Sequence, residues 1–270
     1  MIDLHLHTTA SDGTLAPAAL VARAAAAGVR IIAVTDHDTM DGLPEAREAA
    51  LACGLRLIDG VEITAVDDGR DVHMLAYFVD PADAVFADFL AAQRADRQRR
   101  ILEIAGRLAS LGAPIDIEPV IARKRGGSIG RPVIADALVA AGHARDRDDA
   151  FGRFIGPERP AFVPRRGPAP VDVIGIVRRA GGLVSMAHPA LTKKDELIPR
   201  LASAGLAALE ARHSDHDAAA ERHYRTLASQ YGLAVTGGSD FHGDIPDSAP
   251  LLGTIALPEE DFTAFESRRR

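Results

Sequence analysis

The chain has 270 residues, enough to bury one large α/β domain or two smaller ones, and its 47% hydrophobic and 26% charged residues rule out a disordered polypeptide. No apolar run approaches the ~18 residues that a membrane span needs, and the net charge of −7 argues against a dedicated binder of long nucleic acid. The single cysteine, Cys53, excludes an internal disulfide and is expected to be a small core residue, while an N-terminus with no basic region before its first apolar run points to a cytoplasmic protein without a signal peptide.

In chain order, the apolar pattern predicts a strand over 2–6, a helix near 17–27, a strand over 30–35, a helix near 43–53 and strands over 56–63 and 72–79. The alternation resumes with a helix near 171–180, a strand over 182–187, a helix near 195–204, a strand over 206–210, a helix near 217–231 and a strand over 233–237. Gly28, Gly54, Gly181, Gly205 and Gly232 each follow a helical run, where the left-handed C′ position favours glycine. Strand and helix in alternation predict parallel strands with crossover helices, in a closed or nearly closed barrel one strand short of eight. A doubly wound open sheet is the competing architecture.

Between about 81 and 165 the alternation stops, and RADRQRRILEIAGRLASLG is followed by a Gly-, Arg- and Pro-rich stretch and another short helix. This predicts a small helical insertion over 100–162, set into a barrel made of 1–99 and 163–270. From Arg94 to Arg166 there are fifteen Lys and Arg against nine Asp and Glu, a net of +6, so the rest of the chain carries −13. The segment is either an Arg-rich helical surface or a basic cap over an acidic barrel mouth suited to an anionic substrate.

The polar residues gather at strand ends. His5 and His7 alternate with Leu4 and Leu6, so the two imidazoles share one face of the first strand. Asp12 follows in the loop, His37 lies after the second strand between Asp36 and Asp38, Glu62 ends the third, His73 lies in the fourth, His188 closes the fifth, and Asp240 and His242 follow the last. In a β/α barrel these positions share the C-terminal rim, where active sites lie. Three carboxylates converging within ~4 Å would repel by roughly 4 kcal/mol per pair at an effective dielectric near 20, which favours a bound cation. Histidines and carboxylates without a thiolate suit Mn²⁺, Fe²⁺ or Zn²⁺, and nine candidate ligands match two or three ions.

The segments DLHLHTTASDG, TDHDTMDG, GVEIT, HMLAYF, AHP and GGSDFH, in order from residue 1 to about 257, resemble the motifs of the PHP (polymerase and histidinol phosphatase) metal-dependent phosphoesterases, relatives of the amidohydrolases. The resemblance implies a distorted (β/α)7 TIM-like barrel holding up to three metals, Mn²⁺ above all. His5, His7, Glu62 and Asp240 would bind the first, Glu62 would bridge to a second held by His73 and His188, and Asp12, His37 and His242 would take the third. Asp12 stands where some relatives have histidine. The chain looks most similar to the subgroup with a helical insertion, which includes phosphatases of nucleoside 3′,5′-bisphosphates and 5′→3′ exoribonucleases. A Gly-Arg-Pro-His motif in that insertion reads Gly130-Arg131-Pro132-Val133 here, so the histidine is missing while Arg131 is kept as a phosphate clamp.

The implied reaction is hydrolysis of a phosphomonoester of a small nucleotide, the 3′-phosphate of a 3′,5′-bisphosphate such as pAp, by a hydroxide bridging two metals, with Asp240 moving a proton. Arg165, Arg166 and His213 are weaker candidates for substrate contact, each expected to be solvated. His143, His216 and His223 are expected on the surface. The alternative is a 5′→3′ exoribonuclease acting on short 5′-phosphorylated RNA, but the absence of Trp, the 4% aromatic content and the acidic balance favour a small substrate. A non-catalytic metal-binding module is the remote alternative. An amidohydrolase acting on a C–N bond has no matching carbamylated-lysine strand. The expected partner is a small anionic nucleotide, with no membrane and no obligatory protein partner.

Overall fold

The computed structural model describes residues 1–119, 121, 128–243 and 252–269. Seven strands form one sheet in sequential order: β1 (Ile2–Leu6), β2 (Ile31–Val34), β3 (Arg56–Asp67), β4 (Arg70–Tyr77), β5 (Leu183–Met186), β6 (Ala208–His213) and β7 (Ala234–Gly238). The sheet nearly closes. Leu6 bridges Phe241, and the His7 backbone N–H donates to Phe241 at 3.0 Å. Gly238 permits this approach, since a Cβ there would lie 2.4 Å from both the Cβ and the backbone nitrogen of His5. The open sheet is therefore the wrong alternative, and the barrel is the right one.

Among helices of seven residues and more, the described residues contain α1 (Pro17–Ala26), α2 (Leu43–Cys53), α3 (Ala84–Ser110), α4 (Arg131–Ala140), α5 (Pro170–Arg179), α6 (Ile198–Ala204), α7 (Ala218–Gln230) and α8 (Glu259–Glu266). The five glycines expected to follow helices all have positive φ, from 65° at Gly232 to 101° at Gly205. No described helix is long and apolar enough to cross a membrane. Cys53 is exposed at the end of α2, not in the core. Cys53 continues the spacing of the inward-facing Leu43, Ala46 and Ala50, but it is the last residue of the helix, just before the left-handed Gly54, and lies beyond the packed part of that face.

The expectation of all-parallel strands fails at β4, which pairs antiparallel with both β3 and β5. The cause is local. Asp68 and Gly69, with φ of 48° and 72°, are the only residues between β3 and β4, and an Asp-Gly pair with both φ positive makes the two-residue hairpin turn. Reversal of β4 also brings its first half to the rim: His73 pairs with Thr64, just past Glu62. Glu62 does not end its strand, which continues to Asp67 in the hairpin.

Two core clusters cover the barrel, one around β3–β7 and one joining α1 and α2 to β1 and β2. A third runs from Ile101 to Val163 and includes Ile104, Leu108, Ile134 and Leu138. α3 passes between them without a break: Phe86 and Leu90 belong to the barrel cluster, Ile101, Ile104 and Leu108 to the third. Its buried stripe is polar midway, at Gln93, Arg97 and Arg100, where the helix crosses the barrel rim. Part of the expected insertion, with Arg123, Lys124 and Arg125 of its basic residues, lies outside the described residues.

Candidate metal centre

Glu62 is the hub of the rim. Its Oε2 lies 3.2 Å from His5 Nε2, 3.1 Å from His7 Nε2 and 3.2 Å from His37 Nδ1. Its Oε1 lies 2.6 Å from His73 Nδ1 and 3.2 Å from His188 Nε2. Asp240 Oδ1 completes the first group, 3.2 Å from His5 Nε2 and 3.1 Å from His7 Nε2. Asp12 gathers another group, with Oδ1 3.2 Å from His242 Nε2 and 3.8 Å from His7 Nδ1, and Oδ2 3.7 Å from His37 Nε2. All nine residues singled out in the sequence thus converge. His37 reaches toward Glu62 and Asp12 at once, where the resemblance placed it with Asp12 and His242 alone.

The donors fit divalent cations. Ligand atoms held ~2.1 Å from one ion stand about 3.0–3.4 Å apart, the spacing found between His5 or His7 Nε2 and the Glu62 and Asp240 oxygens. His7 Nε2, His37 Nδ1, His73 Nδ1, Asp12 Oδ1 and Asp240 Oδ1 are buried without a hydrogen-bond partner, which is costly unless something with positive charge meets them. Ligand atoms of Glu62 and Asp240 lie within 4.8 Å of each other, so the two carboxylates repel by about 3 kcal/mol or more at an effective dielectric near 20. Burial pushes the Glu62 carboxyl up, yet the His37, His73 and His5 imidazoles outweigh it and hold the group well below its usual range. Burial likewise opposes ionisation of Asp240, and His5, His213 and His7 reverse the effect. Burial is the largest influence on the His37 imidazole and pushes it down to about 3.

Beneath and beside the ligand atoms lie partners that hold them. Asp3, one turn of the β1 alternation below His5, accepts from Ser239 N and Oγ at 2.9 and 2.6 Å, and burial pushes its carboxyl up to about 6. Asp36 accepts from Thr8 N, Thr8 Oγ1 and Ser11 Oγ at 2.7, 2.7 and 2.6 Å, which shapes the loop that carries Asp12. Asp38, at φ 51°, is fully buried and accepts from Arg97 Nε at 2.5 Å, Arg165 Nη2 at 3.3 Å and Thr64 N at 3.1 Å.

A cavity of about 200 Å³ opens against Asp12, His37 and His73, and four arginines line it: Arg97, Arg100, Arg131 and Arg165. Arg131 starts α4, with Asp71 Oδ2 3.6 Å away and the rings of Phe151 and Phe162 within 5.6 and 5.8 Å of its guanidinium. Arg165 is 6% exposed, so the expectation that it is solvated fails: Asp38, 127 residues earlier, draws it inward. His213 is 2% exposed, not solvated, and its Nε2 lies 3.4 Å from Asp240 Oδ2, away from the arginine cavity. Arg166 is exposed as expected. His223 is exposed and paired with Asp195, while His143 and His216 are half-buried, each bonded to a backbone carbonyl. Within the basic segment, Arg99, Arg107, Arg145, Arg147 and Arg153 pair with carboxylates of the segment itself, while Arg97, Arg100, Arg131 and Arg165 line the cavity.

Sequence reading passed over Arg97, Arg100, Asp71 and Glu210. Glu210 carries a signal in the sequence, since it ends the sixth predicted strand as Glu62 lies at the end of the third. The two arginines had only helical periodicity, which puts them on the buried stripe with Phe86 and Leu90.

The PHP domain family model matches residues 3–112. The chain is 35% identical over 251 residues to the 5′-3′ exoribonuclease Rnm of Salmonella typhimurium, covering 90% of this chain and 86% of that protein. It is 30% identical over 263 residues to the 3′,5′-nucleoside bisphosphate phosphatase of Chromobacterium violaceum, covering 95% and 92%. A solved structure from Bifidobacterium adolescentis, assigned as a metal-dependent phosphoesterase, superposes with a TM-score of 0.88 at 37% identity, covering 100% of this chain and 96% of that one. With the histidine–carboxylate rim and the seven-stranded barrel in agreement, the chain belongs to the PHP-domain family of metal-dependent phosphoesterases.

Proposed function

We propose that the protein is a phosphatase of small nucleotides that removes the 3′-phosphate of nucleoside 3′,5′-bisphosphates, leaving a nucleoside 5′-monophosphate. The observation that carries this reading is the cavity where four arginines adjoin Asp12, His37 and His73. A substrate with two phosphates can place one at the ligand cluster and the other among guanidinium groups, whose planar donors suit phosphate oxygens. The relative from Chromobacterium violaceum named for that substrate class supports it.

In this reading His5, His7, Asp12, His37, Glu62, His73, His188, Asp240 and His242 hold two or three divalent ions, with Mn²⁺ the proposed metal and Fe²⁺ or Zn²⁺ suited to the same donors. Bound ions of this kind supply a water of lowered pKa and neutralise charge on phosphoryl oxygens. Asp240 would hold or pass the proton of the attacking water, a role supported by its having one oxygen toward His5 and His7 and the other toward His213. Arg131 and Arg165, with Arg97 and Arg100, orient the phosphate that is not cleaved. Residues 100–162 act as a cap domain on the barrel formed by 1–99 and 163–270.

The exoribonuclease reading stands second, favoured by the 35% identity to the Salmonella typhimurium enzyme. Both are tested by phosphate and mononucleotide release from pAp, 3′-AMP, 5′-AMP and short 5′-phosphorylated RNA, with Mn²⁺ and after chelation. A kcat/KM for pAp well above both monophosphates, abolished by chelation and restored by Mn²⁺, is expected. Faster mononucleotide release from RNA would make the protein an exoribonuclease, and turnover that survives full chelation would overturn the metal-dependent reading.

A further inference from the structure

Glu210 stands outside the proposed ligand set, yet it is fully buried on β6 directly behind it. Its Oε1 and Oε2 lie 3.0 and 3.2 Å from Nδ1 of His5, and Oε2 also accepts the backbone N–H of His188 at 2.8 Å. A neutral imidazole carries a single N–H, and the nitrogen that faces a carboxylate takes it. The lone pair of His5 is then left on Nε2, the atom that stands 3.2 Å from both Glu62 Oε2 and Asp240 Oδ1.

We propose that Glu210 is a positioning residue for the metal centre: it fixes the tautomer and ring orientation of His5 and ties the backbone of His188 to the same carboxylate. One buried side chain on β6 thereby sets the donors that β1 and β5 present. Carboxylates behind metal-bound histidines commonly act in this way, raising the basicity of the ligand as well as orienting it.

The rival reading makes Glu210 a ligand itself, since donor atoms of His5, Glu210 and His213 also lie within 4.8 Å of one another. The protons argue against an ion there. It would have to displace the hydrogen between His5 Nδ1 and Glu210 while Nε2 of the same ring served another ion, and Glu210 Oε2 is already engaged by His188. His213 Nδ1 accepts the Asp215 backbone N–H at 3.1 Å, so only its Nε2 is free to act, and that atom lies 3.4 Å from Asp240 Oδ2.

The inference rests on the metal reading proposed above, and wild-type binding separates the two. Chelated wild-type, Glu210→Gln and Glu210→Asp proteins are titrated with Mn²⁺ against a chromogenic chelator, and kcat and KM are measured with the metal restored. Glu210→Gln keeps shape but can offer an N–H to His5 Nδ1, and a 10–100-fold loss of Mn²⁺ affinity is expected, with an unchanged number of ions at saturation and lower kcat at near-constant KM. Glu210→Asp, a carboxylate drawn back by one methylene, is expected to recover part of that affinity. Wild-type that binds no Mn²⁺ overturns both readings. Wild-type affinity in Glu210→Gln overturns the role of Glu210 alone, as does a loss of one bound ion at saturation, which would make it a ligand. If Glu210→Gln does not fold, Glu210→Asp decides: weakened affinity supports the proposal and wild-type affinity overturns it.

Discussion

Replacement of Arg131 by methionine tests the substrate-orienting role of the arginine cavity. The side chain is held by the Phe151 and Phe162 rings and lies 3.6 Å from Asp71 Oδ2, beyond hydrogen-bond reach, so its donors remain available to an incoming phosphate. Hydrogen bonds to a charged group contribute about 1.5–3 kcal/mol. At 1.4 kcal/mol per decade that is roughly 10–150-fold in kcat/KM, and since Arg100, Arg97 and Arg165 remain in the cavity, the lower half of the range is expected. The loss should appear with pAp and not with 3′-AMP, which lacks the second phosphate. Methionine keeps the length of the stem and its helix propensity at the start of α4, so folding should be unaffected. The assay is initial-rate phosphate release from both substrates by both proteins. An equal loss on pAp and 3′-AMP would refute the reasoning, because Arg131 would then act on the reacting phosphate or on the fold.

Asp240→Asn should lower kcat at least ~100-fold while most of the metal stays bound through the other ligands, because asparagine tolerates the left-handed φ of 52° at this position. Near-normal turnover with metal content intact would remove Asp240 from proton transfer. Asp38→Asn should destabilise the fold at pH 7 by about 3–5 kcal/mol in urea unfolding, since Arg97 and Arg165 lose their shared buried partner. The pH dependence has a definite sign. Burial raises the Asp38 carboxyl, but Arg97 and Arg165 bring it below its ordinary value of 3.8, so its contribution is complete above that value and is lost as pH falls through the lower folded value. Wild-type stability should accordingly fall more steeply than that of Asp38→Asn as pH drops below about 4, and parallel curves would count against the pairing.

The parts of the molecule that depend on neighbours in sequence were legible without coordinates. Alternation in Asp3-Leu4-His5-Leu6-His7 puts both histidines on one face, and helix ends at Gly28, Gly54 and Gly205 follow from the conformational freedom of glycine. The nine residues that meet at the rim were readable because they end or interrupt an apolar run or, like Asp12 and His242, lie in the loop just beyond one, and a barrel brings strand ends together whatever the detail of its helices. The reversal of β4 was legible too, in Asp68-Gly69, but strand–helix alternation elsewhere pointed to parallel pairing. The partners that Arg97, Arg100, Arg165 and Glu210 meet are a different matter. Periodicity places Arg97 on a buried stripe, but only the path of α3 across the rim decides that the stripe meets Asp38 rather than apolar core. Likewise Arg165 finds Asp38 across 127 residues, and Glu210 finds His5 across 205. A lone arginine or glutamate reads as solvated because its burial is costly, and the partner that offsets the cost is chosen by long-range packing, which local pattern does not encode.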